Sequence, residues 1–267
     1  MKREFVSGLA TIGVVGLAAM TACSPGDSPA ATAQEADVPA LPSTDLYAGS
    51  PYLRELRNEL VYGEIWERPQ LSKRDRSLIT IAVLQALGRE ELEIHIPRGL
   101  DNGLTPEEIS EIILHVTFYA GWPTGVQASI TAAEKFKERG LSIGDLARAP
   151  SHTESSTPSS LSDAYAAVPR LGQLRNSLLY GDIWERPQLS KRDRSLITVA
   201  VNQALYVTNE LRLHIDRALD QNGVTPQEIS EVILHVTFYA GWPAAVNAGR
   251  LATAAFEARG VAFQDLQ

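Results

Sequence analysis

From about residue 51 onward, apolar residues recur at the helical interval. Leu78, Ile79, Ala82 and Val83 form one stripe, and Ile109, Ile112, Ile113, Val116 and Phe118 form another. Steps of three and four place the first set, and Ile109, Ile112, Ile113 and Val116 of the second, on one side of a helix. The starts are marked as well. Ser72-Lys-Arg-Asp75 sets a hydroxyl three residues ahead of a carboxylate at the head of the first stripe, which is a capping pattern. Thr105-Pro-Glu-Glu108 heads the second, with proline in the first turn and acids against the positive end of the helix dipole; its twin is Thr225-Pro-Gln-Glu228. Gly121-Trp122-Pro123 breaks that helix and opens another through Ala132 and Phe136 to Gly140. Leu-Ile-Thr-Ile has strand propensity, but the long periodic context favours helix. The expected fold class is all-α.

The pattern is written twice. Tyr62 to Leu87 recurs as Tyr180 to Leu205 with 23 of 26 positions identical, and Ile109 to Pro123 recurs as Ile229 to Pro243 with one change. Such identity is an internal duplication. The offset grows from 118 to 120 between the blocks, so two single-residue insertions are expected in loops or at helix ends. Between the copies, Arg148 to Asp163 carries the Ser/Thr/Pro composition of a linker. The expected organisation is two tandem modules, 51–146 and 164–267, joined by a linker over 147–163.

The first 23 residues differ from the rest. Lys2 and Arg3 precede a nearly uncharged stretch from Phe5 to Met20, too short and too rich in Gly, Ala and Ser for a membrane span. This reads as an export signal. Its end, Met20-Thr21-Ala22-Cys23, resembles the lipobox of bacterial lipoproteins, in which the cysteine is lipidated. The alternative is ordinary cleavage after Ala31-Thr32-Ala33. Residues 24–50, rich in Pro, Ala, Ser, Thr and Asp, read as a flexible tether. The expected location is periplasmic or at the cell surface, with membrane contact only through a lipid on Cys23.

Charge and cysteine count narrow the chemistry. With 24 Lys and Arg against 32 Asp and Glu, the chain has a net charge of −8, and no basic cluster is visible for a phosphate backbone. Nucleic acid is therefore not an expected partner. The single cysteine excludes an internal disulfide, a CxxC redox pair and a cysteine zinc knuckle. Phosphate-binding glycine loops, the Gly-x-Ser-x-Gly elbow and His-Glu-x-x-His are also missing. His95, His115 and Glu91 have no recognised metal-ligand spacing, so no metal site is expected.

Histidine remains the candidate. Glu91-Leu-Glu-Ile-His95 and Glu210-Leu-Arg-Leu-His214 each set a carboxylate four residues before an imidazole, on one helix face. A carboxylate there would orient the ring and favour the imidazolium, as a general acid needs; the plain alternative is a surface ion pair. His115 and His235 lie in an apolar helix, where a buried histidine is commonly satisfied by a carbonyl or hydroxyl. Trp122 and Trp242, each between Gly and Pro, could wall a pocket or simply pack. Arg74 and Arg76, with twins Arg192 and Arg194, could clamp a carboxylate with two bonds or form a solvated helix start.

Three separated blocks carry a family resemblance. Trp66-Glu-Arg-Pro-Gln-Leu-Ser-Lys-Arg-Asp-Arg-Ser-Leu-Ile-Thr, Glu-Leu-x-x-His95, and Leu-His115 followed by Tyr-Ala-Gly-Trp-Pro resemble the carboxymuconolactone decarboxylase family over nearly all of both modules. The resemblance implies an all-helical fold and ring assembly, with three two-module chains forming a homo-oligomeric pseudo-sixfold ring. It implies a lyase that removes CO2 from a carboxylated lactone or related unsaturated acid, without metal, sulfur or other cofactor. His95 and His214 would be proton donors or oxygen stabilisers, with Glu91 and Glu210 orienting them. His115 and His235 would be second donors, and Arg76 and Arg194 carboxylate anchors. Trp122 and Trp242 would line the substrate pocket. In the related alkylhydroperoxidase D-like proteins, the redox cysteines and a glutamate stand where the second copy has Val207, Glu210 and Ser195; only His214 matches. Thiol peroxidase chemistry is thereby excluded, since it requires a thiolate. The other class left open is an exported binding or assembly protein on the same fold.

Overall fold

The structure, a computed structural model, describes residues 46–144 and 165–266. The segment expected to be an export signal, with Cys23, most of the expected 24–50 tether and the expected 147–163 linker lie outside the described residues. In the first module α1 (Pro51–Leu56) runs into a π-helical turn, Arg57–Tyr62, and a 3-10 turn, Ile65–Glu67. Then come α2 (Lys73–Ala86), α3 (Leu92–Asp101), α4 (Pro106–Ala120) and α5 (Trp122–Glu138). The second module repeats the order with α6 (Pro169–Leu174), turns Arg175–Tyr180 and Ile183–Glu185, α7 (Lys191–Ala204), α8 (Thr208–Gln221), α9 (Pro226–Ala240) and α10 (Trp242–Glu257). No strand occurs among the described residues, and the fold is all-α.

The predicted starts are in place. Ser72 Oγ accepts from the Asp75 amide at 3.0 Å, and Ser190 Oγ does the same for Asp193. Thr105 and Glu108, like Thr225 and Glu228, form full capping boxes that satisfy two otherwise orphaned amides. Gly121 and Gly241, at φ 92° and 90°, turn the chain between α4 and α5 and between α9 and α10. A side chain is disfavoured at such angles, so glycine suits both corners. The two length differences fall at the ends of α8. One lies beside Tyr206, which adopts φ 59° where its twin Gly88 has 62°; the other is at the Gln221 terminus.

The packing goes further than the stripe suggests. Every residue of α2 from Asp75 to Ala86 is buried, and every residue of α7 from Asp193 to Ala204. A helix buried all round needs partners on every side. α3, α4 and α5 cover the apolar side of α2, while α7 and α9 cover its polar side; α7 is related in the same way to α8, α10, α2 and α4. The two modules thus share one apolar core, drawn from both copies. The polar positions Arg76, Thr80, Arg194 and Thr198, all with no exposed surface, point across this junction.

The junction is also ionic. Arg74 reaches Asp193 at 3.1 Å and Glu108, while Arg192 reaches Asp75 at 2.9 Å and Glu228. The helix-start arginines therefore cross-link the modules rather than forming a solvated start. Partly buried pairs in a network of this kind are screened less by salt than isolated surface pairs.

Candidate active site

Each module contributes to two equivalent sites, and neither site is complete in one module. In site one, the π turn and the 3-10 turn set Tyr62 and Trp66 in a stack with ring centroids 5.8 Å apart. His95, on α3, stacks behind the Trp66 indole at 6.3 Å. From the second module α9 delivers Tyr239, edge-on to His95 at 5.7 Å, and its hydroxyl accepts from Trp66 Nε1 at 3.0 Å. Site two repeats this with Tyr180, Trp184 and His214 from the second module and Tyr119 from the first; Trp184 Nε1 donates to Tyr119 at 2.9 Å.

Beneath each site lies a buried polar chain that also crosses the modules. Arg76 Nη2 donates to Glu231 at 2.8 Å and to the Arg68 carbonyl at 2.7 Å, and its Nη1 lies 3.3 Å from His235 Nδ1. His235 Nε2 lies 2.9 Å from Thr80 Oγ1. The twin runs from Glu111 through Arg194 and His115 to Thr198. Here the roles follow from the donors. Arginine can only donate, so it fixes Nδ1 of His115 as the acceptor and leaves the proton on Nε2. Thr198 accepts from that nitrogen and donates to the Arg194 carbonyl at 2.7 Å. Burial, then the neighbouring guanidinium, holds the His115 and His235 imidazoles well below their ordinary range, so both stay neutral.

This geometry corrects several expectations. Arg76 and Arg194 have no exposed surface and already hold Glu231 and Glu111, so they are not substrate anchors. His115 and His235 have both ring nitrogens occupied and are not free second donors. Glu91 and Glu210 are exposed at the starts of α3 and α8, and neither orients a histidine. The Glu91 side chain makes no hydrogen bond to His95, whose Nδ1 is buried without a partner. Trp122 and Trp242 are each 69 % exposed at the starts of α5 and α10, far from a walled pocket. Nor do His95 and His115 converge. His95 lies with His235, and His115 with His214, because the sites form across the modules. Among the described residues no three His, Cys, Asp or Glu side chains could hold a metal ion.

The charge on His95 is opposite to the expectation from Glu91. Burial, then Arg98 and Arg57, lowers its pKa from 6.5 to about 4; burial with Arg217 and Arg175 lowers His214 to about 3. The resting imidazole is neutral. Arg57 and Arg98 both lie against the Tyr62 ring, with guanidinium carbons 4.7 and 4.8 Å from its centroid. Arg98 also donates to the Tyr62 hydroxyl and Arg57 to Asn58. Neither has a carboxylate partner among the described residues, whereas the nearby carboxylates Glu67 and Asp101 are taken by Lys73 and Arg139. A cleft of about 310 Å³ opens beside Arg98, lined also by Tyr62, Trp66, Glu67, Lys73, Asp101 and Asn102. An aromatic wall beside a guanidinium group free of an ion pair can hold a small, flat carboxylate.

Tyr62, Trp66, Arg98 and Tyr239, with their twins, were not singled out by the sequence reading. Repetition could not find them, because the duplicated blocks are alike nearly everywhere. Spacing could have helped: Tyr62 and Trp66 are four apart, and Arg98 follows His95 by three on one helix face.

Comparison with known proteins agrees with the fold and the duplication. The carboxymuconolactone decarboxylase family pattern matches twice, over residues 51–135 and 169–254. The chain belongs to that family. Among curated relatives it is similar to a 4-carboxymuconolactone decarboxylase of Acinetobacter baylyi, with 47% identity over 85 residues, covering 32% of this chain and 63% of the relative. It is also similar to the nitrosuccinic acid decarboxylase npaB of Metarhizium robertsii, with 33% identity over 95 residues, covering 33% of this chain and 65% of the relative. The aligned segment thus spans a little under two thirds of each relative.

Proposed function

We propose that the protein is a decarboxylase of small carboxylic acids whose carboxylate is attached to, or conjugated with, an electron-accepting group. The observation that carries this is His95, neutral and with a bare Nδ1, beside Arg57 and Arg98, neither of which is paired with a carboxylate among the described residues. The names of the two relatives' substrates support the class, because a carboxylated unsaturated lactone and a nitro acid both place an electron sink within reach of the bond that breaks.

The residues suggest an order of events. Arg98 and Arg57 draw a substrate carboxylate into the cleft beside Tyr62 and Trp66. That negative charge offsets the Arg98 and Arg57 field, which adds to burial in keeping His95 neutral, and so favours the imidazole taking a proton from solvent. The C–C bond to the departing carboxylate breaks, CO2 leaves, and the electron pair moves onto the acceptor oxygen. His95 then passes its proton to carbon and returns to its neutral form, so one proton is consumed per CO2 released. His214, Arg217 and Tyr180 take the same parts in site two.

The full-length protein, mixed with 4-carboxymuconolactone or nitrosuccinic acid, should release CO2, and His95→Ala/His214→Ala should abolish the release. Binding of either acid without CO2 would favour the other class, an exported binding protein. Undiminished turnover in the double variant would remove the histidines from the chemistry.

We also propose self-association, for which the support is an apolar stripe on the outer face of the protein. Trp122, Val126 and Ile130 succeed one another along α5 at steps of four, half or more exposed, with Ile94 of α3 also exposed; α10 repeats the pattern with Trp242 and Val246. Contiguous exposed apolar surface of this kind marks an interface. A ring of three chains is the arrangement expected of the family, and the export and lipid anchoring read at Cys23 complete the proposal.

A further inference from the structure

We propose that the hydroxyl of Tyr239, delivered into site one by the second module, is a catalytic hydrogen-bond donor to the oxygen on which negative charge gathers as CO2 leaves, and that Tyr119 does the same in site two. The inference rests on the decarboxylase reading and adds the group that the reading lacks. His95 can return a proton to carbon, but an electron pair arriving on a carbonyl or nitro oxygen needs a donor aimed at that oxygen beforehand.

Three observations converge on Tyr239. The first is hydrogen-bond polarity. Trp66 Nε1 donates to the Tyr239 oxygen at 3.0 Å, and an indole nitrogen cannot accept, so the phenol's own proton is shared between Thr80, which also bonds this hydroxyl, and an oxygen brought in by the substrate. The second is position. The ring stands edge-on to His95 with centroids 5.7 Å apart, so the two groups, from different modules, meet beside Trp66, which is a wall of the cleft. The third is rigidity. The ring lies 5.2 Å from His235, which Arg76 and Thr80 hold from behind, and Arg76 is itself fixed by Glu231. This chain of buried bonds joins the modules and at the same time fixes the tyrosine, and a preset donor needs no reorganisation when charge appears. Burial also keeps the phenol protonated at every working pH.

In the step itself, the C–C bond to the carboxylate breaks and its pair moves through the conjugated system to the acceptor oxygen. Tyr239 donates a hydrogen bond to that oxygen without giving up its proton. The pair then returns to carbon, which takes the proton from His95. No oxidant or reductant takes part.

The test uses the full-length protein and the variant Tyr119→Phe/Tyr239→Phe. Turnover of 4-carboxymuconolactone and nitrosuccinic acid is measured beside the Kd values of two probes, succinate and the nitronate of 3-nitropropionic acid. The nitronate resembles the species left after CO2 departs. Loss of one preset donor should lower kcat by about 100-fold with KM nearly unchanged. The wild-type preference for nitronate over succinate should disappear in the variant, while succinate binding stays. A merely structural tyrosine would move KM and succinate binding together. Unchanged kcat, or an unchanged preference for nitronate, overturns the proposal. A wild-type protein that releases no CO2 overturns the decarboxylase reading separately, and the nitronate comparison still decides the role of the tyrosines. Should the double variant melt early, Tyr239→Phe in a His214→Ala background reads site one alone.

Discussion

Trp66 of the first module donates its indole hydrogen to the hydroxyl of Tyr239 in the second, at 3.0 Å, and the reciprocal bond runs from Trp184 to Tyr119 at 2.9 Å. These bonds tie the sites to the duplication. Each module carries the aromatic stack and the histidine, His95 or His214, of one candidate site, and the tyrosine and buried glutamate of the other. The covalent pair therefore holds two whole sites where a single module would hold two halves.

The buried ion pairs between the modules should be costly to break. Glu231 holds Arg76, which has no exposed surface, and its removal leaves a guanidinium charge buried beside a neutral histidine. Glu231→Ala should destabilise the protein by about 3–5 kcal/mol, as should Glu111→Ala. Chemical denaturation gives the values directly. A loss under about 1 kcal/mol would mean that water or another group reaches Arg76 easily.

Substrate anchoring should depend on Arg98 and Arg217 rather than on Arg76 and Arg194. A charged hydrogen bond contributes about 1.5–3 kcal/mol, so Arg98→Gln/Arg217→Gln should raise KM by about 10-fold or more, with a smaller change in kcat. Steady-state kinetics on the two acids would show it. A fall in kcat alone would move these arginines from binding to the chemical step.

Stability should fall with acid in a defined window. The folded chain holds His95 and His214 neutral, with pKa values lowered from 6.5 to about 4 and about 3. The unfolded chain protonates both near 6.5, so it binds more protons between the two values. The stability is complete above pH 6.5 and is lost as the pH falls toward 4, by about 1.4 kcal/mol per pH unit for each histidine. His115 and His235 act in the same direction. Melting temperature should therefore drop steeply from pH 6.5 to 4.5, and less steeply in His95→Gln/His214→Gln. Equal slopes would place the acid sensitivity elsewhere.

Self-association should fail when the outer stripe is charged. Trp122→Asp/Trp242→Asp changes two residues that are 69 % exposed in the single chain, so the fold should survive. Light scattering should give a mass near three times 29.0 kDa for the wild type and near 29.0 kDa for the variant. An unchanged mass would exclude this stripe as the interface.

The helices were largely legible, because capping residues and apolar spacing are local signals. Ser72, Thr105 and the Gly121 corner act within a few residues of the pattern that predicts them. The site was only partly legible. His95 and His214 stand in it, but their partners come from about 140 and 95 residues away, and no spacing within one module shows Tyr239 beside His95 or Tyr119 beside His214. Arg76 misled for the same reason. A charged residue at a helix start reads as solvated until a second module is laid over it. Glu91 misled because four-residue spacing brings side chains to one face without deciding whether that face is buried.

The sharing of each site between modules is tested most directly by comparing two double variants of the full-length protein. His95→Ala/Tyr239→Phe strikes one site through both modules, whereas His95→Ala/Tyr119→Phe strikes both sites through one module. Decarboxylation by the first should remain at about half of the wild-type rate, because site two is intact, while the second should fall to a few per cent or less. If the second variant keeps half of the rate and the first loses nearly all of it, each module carries its own site and the shared arrangement is wrong.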